Sequence, residues 1–141
     1  MTTPNHHILV FNDTQVILDL FVEILTDAGY RVTARTYGTQ DLTAVEEHLP
    51  DLVIADYPPV DREERGWQLV QMLRMSRTTE HIPIVVCTTN LKAVQATEGW
   101  LATKNILAIP KPFSIDELLD AVRHQLSGSP RSDQQDSARE A

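Results

Sequence analysis

Apolar residues along the chain gather in short runs, each closed by polar or turn-forming residues. The runs are His7-Ile-Leu-Val-Phe11, Asp51-Leu-Val-Ile-Ala-Asp56, Ile82-Pro-Ile-Val-Val-Cys87 and Ile106-Leu-Ala-Ile109. Runs of this length without a polar break suit parallel strands buried on both faces. Pro83 stands at the start of its run, where a missing donor is tolerated. Arg31-Val-Thr-Ala-Arg-Thr36 alternates instead, and predicts a strand nearer the edge.

Between the runs the spacing becomes helical. Ile17, Phe21, Ile24 and Ala28 predict a first helix, capped by Asp13 or Thr14 and stopped by Gly29 with Tyr30 behind it. Leu42, Val45 and Leu49 mark a second, ended by Pro50. Gly66 precedes a third, with Trp67, Val70, Leu73 and Met72 toward the sheet, and 91–104 is a weakly amphipathic fourth containing Gly99. Ser114 and Glu117 form a capping box for a fifth, whose apolar face is Ile115, Leu118, Leu119, Val122 and Leu126. The pattern βαβαβαβαβα predicts an α/β fold, a parallel sheet between two helical layers. The stretch 127–141 carries no apolar residue larger than alanine and is expected to be a disordered polar tail.

Composition narrows the function. The chain has 141 residues, the size of one domain, and a net charge of −8. An acidic balance argues against a nucleic-acid footprint and against an anionic membrane surface. No apolar run approaches the roughly 20 residues of a membrane-spanning helix, no secretory signal opens the chain, and the lone Cys87 permits no internal disulfide. A cytoplasmic setting is the expectation.

The chemistry lies at the strand ends. Asn12 and Asp13, Asp56, Thr88 and Lys111 each follow a strand run, and the carboxyl ends of parallel strands share one sheet edge. Neighbouring carboxylates suit a hard divalent cation such as Mg²⁺, which takes one or two carboxylates plus water and phosphate oxygens. A lysine offers a point charge, a threonine a hydrogen bond, and a carboxylate can itself accept a phosphoryl group. Taken singly, Asp13 also reads as a helix cap, Asp56 as a polar strand terminus and Lys111 as a surface lysine. Together they are the set that phosphoryl transfer to Asp56 needs.

With Ile8-Leu-Val-Phe-Asn-Asp13, Asp51-Leu-Val-Ile-Ala-Asp56, Ile82-Pro-Ile-Val-Val-Cys-Thr88 and Lys111-Pro-Phe113 in order, residues 6–126 resemble the receiver domain of two-component response regulators. The resemblance implies a flavodoxin-like doubly wound (βα)5 fold, with strand order 2-1-3-4-5 and a receiver domain over residues 1–126. It implies Asp56 as phospho-acceptor, assisted by Thr88 and Lys111. Mg²⁺ would be held by Asp13, Asp56 and the Pro58 carbonyl, with Asn12 reaching it through water. A cis Lys111–Pro112 bond is also implied.

The chain departs from the family pattern at several points. Asn12 stands where a second acid is usual, and Ala108 where an inward-turning aromatic is usual. The loop after Asp56 is longer than usual, judged by where Gly66 falls, and Pro110 removes a backbone donor.

The function expected is that of a single-domain response regulator, not an enzyme. It would take a phosphoryl group from a histidine kinase or phosphotransfer protein. It would meet a downstream protein through the face of the fourth helix, fifth strand and fifth helix, as a monomer or weak dimer that binds neither nucleic acid nor membrane. Asn12, Ala108 and the loop support the alternative, a degenerate receiver serving as a phosphorylation-independent interaction module. No Gly-rich phosphate loop or Ser-His-Asp arrangement supports a small α/β enzyme.

Overall fold

The computed structural model describes residues 5–57, 64–90 and 103–127, together with Gln95, Gly99 and Leu101. Five parallel strands form one sheet: β1 (His7–Asn12), β2 (Arg31–Thr36), β3 (Leu52–Asp56), β4 (Ile84–Thr88) and β5 (Ile106–Pro110), in the order β2-β1-β3-β4-β5. Helices α1 (Gln15–Asp27), α2 (Asp41–His48), α3 (Glu64–Met75) and α4 (Ile115–Ser127) connect and cover it. Gln95, Gly99, Leu101 and Thr103 are helical, as expected of 91–104. Residues 128–141, nearly all of the expected tail, lie outside the described residues. The last helix includes Ser127, which the sequence reading assigned to that tail.

The alternation of the strands divides the core. Ile8, Val10, Leu52, Ile54, Val85 and Cys87 pack with α1 and α4, while Leu9, Phe11, Val53, Ala55, Ile84 and Val86 pack with α2 and α3. Period-2 geometry sends successive side chains to opposite faces, so both layers bury a continuous apolar run.

The ends of the helices follow local chemistry. Gly29 has φ +100°, Tyr30 N donates to Leu25 O at 3.1 Å and Gly29 N to Thr26 O at 3.0 Å, which is a Schellman ending. Ser114 Oγ accepts from Glu117 N, and Glu117 Oε1 accepts from Ser114 N, completing the expected capping box. At α1 the N-cap residue is Thr14, whose side chain makes no capping hydrogen bond; Asn12 Oδ1 accepts from Thr14 N at 2.7 Å.

The expected face of α1 is displaced by one residue, while α2, α3 and α4 bury Val45, Val70, Leu73, Leu118 and Val122 as expected and differ only at their margins. In α1 the buried residues are Leu18, Phe21 and Leu25, while Ile17 is exposed and Ile24 only partly buried. This helix is apolar on more than one side, so periodicity alone does not choose the row that meets the sheet. In α4 Ile115 is exposed and Ala121 and Gln125 are buried; Gln125 Nε2 donates at 3.0 Å to the carbonyls of Ile84 and Asn105. Leu49 is exposed in a left-handed conformation, and Asp41 and Ala44 take the buried side of α2. In α3 Leu69 is buried and Met72 exposed. That helix begins at Glu64, so Gly66 lies inside its first turn rather than before it.

Candidate functional site

Asn12 and Asp56 continue the rows of Val10 and Ile54, so both side chains emerge on the α1 side at the carboxyl edge of the sheet. Asn12 Nδ2 donates to Asp56 Oδ2. Lys111 arrives from the turn after β5, where Lys111–Pro112 is cis, as the resemblance implies. Its Nζ lies 2.7 Å from Asp56 Oδ1 and donates to the carbonyl of Tyr57 at 2.9 Å. Asp56 is only 3% exposed, and burial raises its carboxyl above the ordinary value; the Lys111 charge and the Asn12 amide pull the other way. Asp56 Oδ1 has no hydrogen-bond partner besides that ion pair among the described residues.

A cleft of about 450 Å³ opens above these groups. Asn12, Asp13, Asp56, Tyr57 and Lys111 form its polar end, and Ile17, Leu20, Phe21 and Phe113 belong to its apolar flank. Asp13 thus shares the cleft with Asp56 and Lys111. Thr88 is at the same sheet edge but does not line the cleft. It follows the row of Ile84 and Val86, and its hydroxyl accepts from Asn90 N at 3.0 Å. Pro110 does not leave the end of β4 unpaired, because Lys111 N donates to Thr88 O at 2.8 Å. Ala108 is the strand partner of Val86 and packs on the α3 side. Pro58 lies outside the described residues.

The chain also matches known proteins. A model of the response regulator receiver domain fits residues 8–123. The chain belongs to the receiver domain family of two-component response regulators. Its fold is the (βα)5 fold of that family, and receiver domains signal by accepting a phosphoryl group.

The DNA-binding response regulator MtrA of Mycobacterium tuberculosis is 32% identical over 126 residues, covering 89% of this chain and 53% of MtrA, so the chain spans about half the length of that relative. Sporulation initiation phosphotransferase F of Bacillus subtilis is 30% identical over 125 residues, which are 86% of this receiver and 94% of that protein. Among solved structures, the chemotaxis response regulator CheY4 of Vibrio cholerae superposes with a TM-score of 0.70 at 26% identity, covering 86% of this chain and 98% of CheY4. The receiver domain of the sensor histidine kinase PA1611 of Pseudomonas aeruginosa, crystallised with a magnesium ion in its active site cleft, shares the fold at 24% identity and a TM-score of 0.69, covering 87% and 98% of the two chains.

Two tyrosines at this site are not among the residues that the sequence singles out. Tyr57 supplies a carbonyl to Lys111, and Tyr37 donates its hydroxyl to the Asp56 carbonyl at 3.2 Å. Each directly follows a strand, the same signal that marked Asp13 and Lys111. The helical spacing assigns Ile17 to the core, whereas it is exposed and lines the apolar flank of the cleft.

Proposed function

We propose that this receiver domain takes a phosphoryl group on Asp56 from a histidine kinase or phosphotransfer protein, with Mg²⁺, and thereby switches a protein-interaction surface. The observation that carries the proposal is the buried Asp56 carboxylate with Lys111 Nζ at 2.7 Å. In the transfer an Asp56 oxygen attacks phosphorus, the bond from phosphorus to the donor nitrogen breaks, and the leaving imidazole keeps that electron pair. Lys111 offsets charge on the incoming phosphoryl oxygens. Thr88, one residue beyond the strand partner of Asp56, is the proposed hydroxyl donor to the phosphoryl group.

The donor set fits a hard cation. Two carboxylates, Asp13 and Asp56, line one cleft that has room for water, which is the coordination Mg²⁺ favours. They would hold the ion, with the Pro58 carbonyl as a third ligand and Asn12 acting through water. A bound cation would neutralise charge on the phosphoryl oxygens. The magnesium in the PA1611 receiver supports this assignment.

Residues 1–126 form the proposed receiver unit, acting as a monomeric or weakly dimeric regulator in the cytoplasm. Its target surface comprises the 91–104 segment, β5 and α4. The test is the intact mass after incubation with acetyl phosphate and Mg²⁺. One added phosphoryl group is expected, and none in Asp56→Ala.

A second reading has its own observation. Asn12 Nδ2 occupies Asp56 Oδ2, as a partner would in a degenerate receiver that binds proteins without phosphorylation. Absence of any mass gain in the wild-type protein would favour it.

A further inference from the structure

Successive carbonyls along a strand point to opposite neighbours. Tyr57 N donates to Cys87 O on β4, so the Asp56 carbonyl faces the β1 side. There the pairing of β3 with β1 has already ended at Phe11 and Ala55. The carbonyl of the proposed phospho-acceptor is therefore a buried acceptor beyond the ladder, and such groups are costly if left unpaired.

Tyr37 supplies the donor. Its hydroxyl lies 3.2 Å from Asp56 O, its side chain is buried, and its ring stacks on Phe11 at a centroid distance of 5.7 Å and 23° between planes. Gly66 closes the cluster from α3. A Cβ there would stand 2.3 Å from Cδ1 of Tyr57 and 3.1 Å from the Tyr37 hydroxyl. The peptide between Asp56 and Tyr57 is thus held at both ends, its carbonyl by Tyr37 and its N–H by Cys87 O, and Lys111 Nζ holds the carbonyl of the next peptide.

We propose that Tyr37 is a positioning residue for phosphoryl transfer. Its hydroxyl fixes the Asp56 peptide from the face away from the cleft, and so sets where the carboxylate meets Lys111, Asn12 and an incoming phosphoryl group. The proposal rests on the reading that Asp56 is the phospho-acceptor. Small displacements of a reacting group are expensive in rate, because the benefit of orientation falls steeply with distance.

The test compares three full-length proteins in acetyl phosphate and saturating Mg²⁺, following intact mass with time at several donor concentrations. Tyr37→Phe keeps the ring and its stacking and removes only the donor. Its maximal rate is expected to fall roughly three- to tenfold, the scale of one hydrogen bond, with the half-saturating donor concentration unchanged. Thr79→Val is the control: it removes another buried hydroxyl, which donates to Leu73 O at 2.7 Å before β4. It is expected to lower the Tm and leave the rate alone. A Tyr37→Phe protein with the wild-type rate and a lowered Tm would overturn the proposal and leave the Asp56 reading standing. A rate loss in both variants would mean that stability alone sets the rate, and would also overturn it. A wild-type protein that gains no phosphoryl group overturns both readings.

Discussion

Lys111 Nζ lies 2.7 Å from Asp56 Oδ1, and the two side chains are unequally buried: 27% of the lysine side chain is exposed against 4% of the aspartate. Most of the desolvation therefore falls on the carboxylate, while the ammonium keeps part of its hydration. Removing the lysine leaves a buried charge uncompensated, the costly way to break such a pair. Lys111→Ala is expected to destabilise the fold by about 1–3 kcal/mol, short of the full cost of a wholly buried pair. Asp56→Asn combined with Lys111→Ala should recover most of that loss. Urea unfolding of the wild type and the two variants measures it.

The raised Asp56 carboxyl gives a pH signature. Its folded pKa lies above the unfolded value, so between the two the folded state binds more protons and stability falls as pH rises. Asp56→Asn should therefore raise the Tm at neutral pH. Its advantage should shrink as pH falls through the raised folded pKa and vanish below the ordinary carboxylate range. A constant difference across the titration would count against the burial of Asp56.

Asn12→Asp restores a third acid at the cleft and converts an amide donor to Asp56 into a like charge. Without divalent cation the variant is expected to be less stable than wild type. With Mg²⁺ the order should reverse, with affinity tighter by on the order of tenfold, since charge count tunes such sites. Intrinsic fluorescence titrated with Mg²⁺ measures the affinity. Equal affinity in the two proteins would remove Asn12 from the proposed metal site.

Gly66→Ala tests the close approach of α3 to the tyrosine pair. An added methyl meets Cδ1 and Cε1 of Tyr57 at 2.3 and 2.5 Å, so the ring or the helix must shift. Overpacking of this kind costs about 1–3 kcal/mol, more than the helix propensity gained from alanine returns. The same change at Gly99, where a Cβ meets nothing within 4 Å, is expected to stabilise by up to about 1 kcal/mol. Paired thermal melts compare the two.

The signal is expected to leave through the 89–105 segment, because Ala108 has no aromatic ring to turn inward. The far end of that segment is anchored: Arg74 Nε donates to Lys104 O at 2.8 Å, and Gln125 Nε2 to Asn105 O at 3.0 Å. Beryllofluoride binding should change hydrogen exchange across 89–103 more than in α1 or α2, and should alter the exposure of Trp100. A change confined to 57–66 would instead route the signal through the loop after Asp56.

Much of this molecule could be read along the chain. An unbroken apolar run bounded by turns has few fates, and the strands at His7–Asn12, Leu52–Asp56 and Ile106–Pro110 follow from it. Where each run ends is local too, so the placing of Asp13, Asp56 and Lys111 on one edge needed only a parallel sheet. The Gly29 ending and the Ser114–Glu117 box are contacts within a few residues, legible for the same reason. The face of α1 was not legible, because Ile17, Leu18, Phe21, Ile24 and Leu25 offer more than one apolar row and only the packed sheet selects Leu18 and Leu25. Nor was the hold on Asp56. Its Asn12 contact depends on two strands sharing parity across the ladder, and its Tyr37 contact on β1 pairing ending one residue short of it. Those are matters of register between segments distant in sequence, which no local pattern of apolar and polar residues encodes.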